Sequence, residues 1–146
     1  MTSNFGPIAA ALISWIVFNT IGKPLLRFFD LRTEVRRTMI LYDNVRARWR
    51  EHDNVRVLAT GDDEDMTPDN FERLQEAENQ YRDLASQVRA FADTQSPTCT
   101  VLRWFGFDVR KASSGLIGLS NTVNTYGKTR TFQKQTINEA LRILDS

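Results

Sequence analysis

Phe5 to Gly22 reads FGPIAAALISWIVFNTIG, inside a first 22 residues that contain no Asp, Glu, Lys or Arg. Eighteen residues rising about 1.5 Å each cover about 27 Å, close to the roughly 30 Å of bilayer hydrocarbon. Ile8, Leu12, Ile13, Ile16, Val17, Phe18 and Ile21 each favour insertion by about 0.3–0.6 kcal/mol, about 2–4 kcal/mol together. Ser14, Asn19 and Thr20 oppose it. The stretch reads as a short transmembrane anchor, residues 1–24, carrying a cytoplasmic helical bundle of about four helices over residues 25–146. The fold class is all-α.

A secretory signal peptide needs a positively charged start and a small-residue exit, and neither flanks this run. Basic residues gather after it instead: Lys23, Arg27, Arg32, Arg36 and Arg37, against Asp30 and Glu34. The positive-inside rule then puts the body in the cytoplasm, with the chain crossing the inner (plasma) membrane once. Those five cations become the expected contacts to anionic headgroups, while Lys23 snorkels past Leu25, Leu26, Phe28 and Phe29. The competing account is a core helix in a soluble oligomer, because eighteen residues is near the lower limit for a span.

Gly6, Ala10 and Ser14 recur every four residues and share one helical stripe. Small residues at that spacing let two spanning helices approach closely, and Asn19 adds a group for an interhelical hydrogen bond. The bilayer and a second copy, or a membrane complex of which this chain is a subunit, are therefore the expected partners.

The chain holds 146 residues with a net charge of +1, a size for one modest core. Charge is unevenly spread: residues 23–60 carry nine basic and five acidic groups, and residues 61–80 one and eight. No basic excess with interleaved aromatics suggests a nucleic acid. Cys99 is the only cysteine, which excludes an intrachain disulfide and suits a reducing compartment.

Gly22-Lys23-Pro24 should kink or break the chain, since Pro24 lacks an N–H and restricts Lys23. Leu31, Val35, Met39, Tyr42, Val45 and Trp49 then keep 3–4 spacing and predict a helix over about Leu25–Val55. Thr60–Asp65, TGDDED, is a solvated acidic turn without the ligand order of a calcium loop. Thr67-Pro68-Asp69 opens the clearest helix, about Pro68–Thr94, with Leu74, Ala77, Tyr81, Leu84, Val88 and Phe91 on one face. Thr98–Phe105 is a short helical or irregular piece, and Trp104, Phe105 and Phe107 around Gly106 are expected in the core. Asp108 caps a helix over about Val109–Asn124, in which Ser114, Gly115 and Gly118 make a narrow face for close packing. Asn124–Gly127 is a turn. A last helix, about Thr131–Leu144, buries Phe132, Ile137, Ala140, Leu141 and Leu144, with no tail expected beyond it for sorting.

Chemistry finds little to stand on. One His and one Cys make no metal set, and nothing brings His52 to Cys99. No catalytic residue, metal, cofactor or small-molecule substrate is expected, and the chain does not read as an enzyme. KPLLRFFDLRTEVRR (Lys23–Arg37) and WFGFDVRKASSGLIGLSNTVNT (Trp104–Thr125) resemble a group of small bacterial proteins of unknown function with an N-terminal hydrophobic segment and a helical body. The resemblance implies a bacterial inner-membrane setting and no activity. The leading expectation is a non-enzymatic, membrane-anchored adaptor or accessory subunit. The alternatives are a membrane-active effector or small pore-former, and a soluble helical oligomer with its first helix as core.

Overall fold

The computed structural model describes residues 5–43, 49–52, 55–58, 68–123 and 128–143. Helix α1 (Phe5–Val17) runs through a five-residue π-helical turn, Phe18–Gly22, straight into α2 (Lys23–Leu41). The kink or break expected at Gly22-Lys23-Pro24 takes the form of this π turn, with the chain helical on both sides of it. Pro24 has no N–H for the Thr20 carbonyl four residues back, and its ring crowds that oxygen in α geometry. The wider π turn, closed by Lys23 N–H on Phe18 O, accommodates the ring. Thr98 Oγ1 donates to the Thr20 carbonyl at 3.4 Å.

The helix expected over Leu25–Val55 is also corrected. α2 ends at Leu41, and Tyr42 leaves helical geometry at φ −103°, ψ 14°. Trp49–His52 (β1) and Val55–Leu58 (β2) instead pair antiparallel, Trp49 opposite Leu58 and His52 opposite Val55. The two intervening residues, Asp53 and Asn54, are types favoured in two-residue hairpin loops, and Val55 and Val57 suit a strand. Local turn chemistry outweighs the 3–4 spacing there.

Helices α3 (Pro68–Thr94), α4 (Ser96–Trp104), α5 (Val109–Thr122) and α6 (Lys128–Leu141) complete an architecture that is all-helical apart from the hairpin. With α4 helical, α2–α6 supply five helical segments among the described residues rather than four. The acidic turn at 60–65, the Thr67 cap, the turn at 124–127 and Leu144 lie outside the described residues.

The core forms where four amphipathic faces meet. α2 buries Phe28, Leu31, Val35 and Met39, and α3 buries Leu74, Ala77, Tyr81, Leu84, Val88 and Phe91. α5 brings Val109, Ala112, Leu116 and Leu119, and α6 brings Ile137, Ala140 and Leu141. Each large side chain fully buried here contributes about 1.5–3 kcal/mol. α5 lies against both α3 and α6. Ser113 on α5 is buried and donates to Ala85 O on α3 at 3.0 Å, so its hydroxyl costs the core nothing unsatisfied.

Three aromatic expectations fail, two by helical angle and one by the turn that ends α4. Trp104 is 83% exposed because it lies two residues, about 200°, around the helix from buried Leu102. Phe105 is 63% exposed, since α4 stops there and Gly106, at φ 82°, turns the chain so that Phe107 enters instead. Phe132 is exposed because it falls five residues, about 140°, from buried Ile137.

Candidate functional site

The described residues contain one helix long and apolar enough to cross a membrane, Gly6–Leu41, and none of its most apolar stretch is buried. Ile8, Leu12, Ile13, Trp15, Ile16, Val17 and Phe18 are all more than half exposed. Further along the same rod, Phe28 and Val35 are sealed in the body. Two environments therefore share one continuous helix, and the π turn with Pro24 lies between them.

Gly6, Ala10 and Ser14 are exposed, and a Cβ added at Gly6 would meet nothing within 4 Å. Asn19 does not extend their stripe. It falls five residues beyond Ser14, about 140° around the helix. Its Nδ2 donates to Trp15 O of the same helix at 2.7 Å.

The five flanking cations divide. Lys23, Arg27 and Arg37 are exposed, as is Arg36, which has a partner of its own. Arg32 is turned into the body, where Nε donates to Leu141 O and Nη2 to Arg142 O, each at 2.8 Å. Its guanidinium carbon also stands 6.0 Å from the Phe107 ring centroid. Those carbonyls end α6, and the last turn of a helix leaves such acceptors unsatisfied. Arg142, at φ 50°, closes that helix with Ile143 N–H on Asn138 O, a left-handed cap held by an arginine rather than glycine. Arg142 Nη1 in turn donates to Phe105 O, and Asp108 N–H to Ala140 O, so the α4–α5 turn and the end of α6 are stitched together. Sequence reasoning missed this joint, and no local signal marks Arg32 among its basic neighbours.

In α5, Gly115 and Gly118 face α6. A Cβ at Gly115 would come within 2.7 Å of Ile137 Cγ1, and one at Gly118 would overlap the Gln133 side chain. Ser114 is on the outside, its hydroxyl bonded to Arg110 O, while Ser113 takes the inner position. Asp108 Oδ1 accepts from Lys111 N at 2.9 Å as the α5 cap.

No catalytic arrangement emerges from these side chains. Cys99 is half-buried beside a cavity of about 30 Å³ bounded by Ala92, Arg103, Phe107 and Asp108, room for a water molecule or two. Burial pushes its thiol above the ordinary value, the opposite of what an activated nucleophile needs. Among the described residues no three His, Cys, Asp or Glu side chains gather around a common point that could hold a metal ion. No family model matches the chain, and neither curated proteins nor solved structures yield a match.

Proposed function

We propose that the protein is a non-enzymatic, membrane-anchored helical adaptor or accessory subunit. α1 crosses the inner (plasma) membrane once, and the body built on α2 lies on the cytoplasmic side, where it docks a partner or a second copy. The observation that carries this reading is the exposure of Ile8–Phe18 along a helix continuous with the core. In water that face would forfeit about 1.5–3 kcal/mol per large side chain, and soluble monomers rarely leave so extended an apolar patch. Lys23, Arg27, Arg36 and Arg37 beyond the apolar half support the cytoplasmic orientation. The open stripe of Gly6, Ala10 and Ser14 supports association through α1.

Carbonate extraction of membranes carrying the full chain tests the anchor. The protein should stay in the pellet; complete recovery in the supernatant would leave α1 as the seam of a soluble oligomer. A potential-sensitive dye separates the adaptor from a pore-former, since an adaptor leaves the membrane potential intact when induced.

A further inference from the structure

The body's lower end carries an aromatic corner that the core does not use. α3 runs antiparallel to α2: Tyr81 Oη meets Thr38 O at 3.5 Å, and ten residues later the Phe91 ring lies 6.1 Å from Phe28. α3 thus descends toward the π turn, and α4 starts there, with Thr98 bonded to the Thr20 carbonyl. By Phe107 the chain has reached the level of Phe28 and Phe29, whose ring centroids stand 5.2 and 6.2 Å from its own. Trp104 and Phe105 belong to the segment that starts at the level of residue 20, with Thr98, and ends at that of residue 29, with Phe107. That is a belt about 13 Å tall at about 1.5 Å per residue.

The belt begins where the uncharged run ends. Within it the stem exposes Leu26, 60%, and Phe29, 44%, and α4 exposes Trp104, 83%. Lys23, Arg27 and Arg103 are exposed at the same end. An amphipathic indole such as that of Trp104, with apolar side chains and cations beside it, is what the headgroup layer of a bilayer accommodates, rings at the hydrocarbon edge and charges on anionic lipid. A protein groove would bury the aromatics away from the arginines; here the two kinds alternate.

We propose that this corner, Trp104 and Phe105 with Leu26 and Phe29, rests in the headgroup layer of the membrane, so that the body is seated on the bilayer surface rather than hanging free from the anchor. The proposal rests on α1 being a span. Two full-length variants test each part separately. Trp15→Phe with Trp49→Phe leaves Trp104 as the sole tryptophan, and Trp49→Phe with Trp104→Phe leaves Trp15. Both are reconstituted into phosphatidylcholine–phosphatidylglycerol vesicles containing lipid spin-labelled at a shallow or a deep position. Circular dichroism matching the parent protein qualifies each variant.

Trp104 should lose most of its emission to the shallow label and less to the deep one, while Trp15 is quenched by the deep label. Trp15 quenched and Trp104 untouched by either label would overturn the seating and leave the span standing. That result covers both a corner left in water and one covered by a second protein. Trp104 quenched more by the deep label would overturn it as well, placing α4 in hydrocarbon. Neither residue quenched would remove the span, and the seating with it.

Discussion

The two halves of the long helix make opposite use of the same backbone. From Ile8 to Phe18 its large apolar residues are exposed on every side, whereas Phe28, Leu31, Val35 and Met39 form one stripe covered by α3 and its neighbours. Hydrophobic residues are abundant in both; their angular distribution differs. A helix apolar all round needs an apolar solvent, and a striped one needs only a packing partner. The π turn at Phe18–Gly22 joins an exposed apolar half to a packed half, and under the proposed anchor it would join two solvents as well.

The sharpest way to break this contrast is a matched pair of arginines. Ile13→Arg adds about 2.5–3.5 kcal/mol against insertion, as large as the whole favourable sum of about 2–4 kcal/mol. It should shift the protein into the carbonate supernatant and leave the thermal transition of the body unchanged. Val35→Arg buries an unpaired charge, worth several kcal/mol against a typical total stability of about 5–15 kcal/mol. Cooperative unfolding should disappear while the membrane fraction is retained. If Ile13→Arg melted the body too, the division would be wrong.

Alkali should separate the halves next. Tyr81 is sealed against Tyr42, and burial pushes its hydroxyl up to about 12. The folded value lies above the ordinary 10.0, so the associated stability is fully present below pH 10.0 and is lost as pH rises through about 12. Two units correspond to about 3 kcal/mol. Residues 1–22 contain no acidic or basic side chain, so helix content from that half should be unchanged in detergent at pH 12 while the body's unfolding free energy falls. Tyr81→Phe should flatten the loss of stability between those two pH values, read by denaturant titration.

A smaller effect distinguishes Arg32 from its basic neighbours. Arg32→Gln removes two charge-assisted bonds to the end of α6 and should lower body stability by about 1–3 kcal/mol. Arg27→Gln should leave the melting temperature in place and reduce affinity for anionic vesicles by about 1 kcal/mol. Equal melting losses in both would erase the distinction. The smallest contrast uses glycine. Gly115→Ala meets Ile137 and should cost about 1–3 kcal/mol, partly offset by about 1 kcal/mol of helix propensity. Gly6→Ala meets nothing in the monomer, so its expected effect is confined to weaker crosslinking between copies.

Much of the helical layout was legible because it is written in local periodicity. The inward face of α3 follows directly from Leu74, Ala77, Tyr81, Leu84, Val88 and Phe91, and Asp108 announces the start of α5. Misreadings came where two local signals competed. Val45 and Trp49 extend a helical spacing into a stretch where Trp49–His52 pairs antiparallel with Val55–Leu58. Size points Trp104 toward the core, whereas angle on a short helix decides which side chain reaches it. Among the candidate residues, spacing alone puts Gly6, Ala10 and Ser14 on one helical face, yet it cannot separate Arg32 from Arg27.

The sequence by itself determined that residues 5–22 are uncharged, apolar and long enough to approach a bilayer's thickness, because composition and rise per residue are properties of the chain alone. It also determined which faces of α2 and α3 are apolar. Only the tertiary structure decided that the chain stays helical through Pro24, where a π turn accommodates the ring and Thr98, 78 positions away, donates to the Thr20 carbonyl. The same holds for Arg32, whose partners are carbonyls more than a hundred residues distant. Whether a proline breaks a helix, or an arginine faces lipid, depends on who stands opposite, and that is settled by long-range packing rather than by neighbours in sequence.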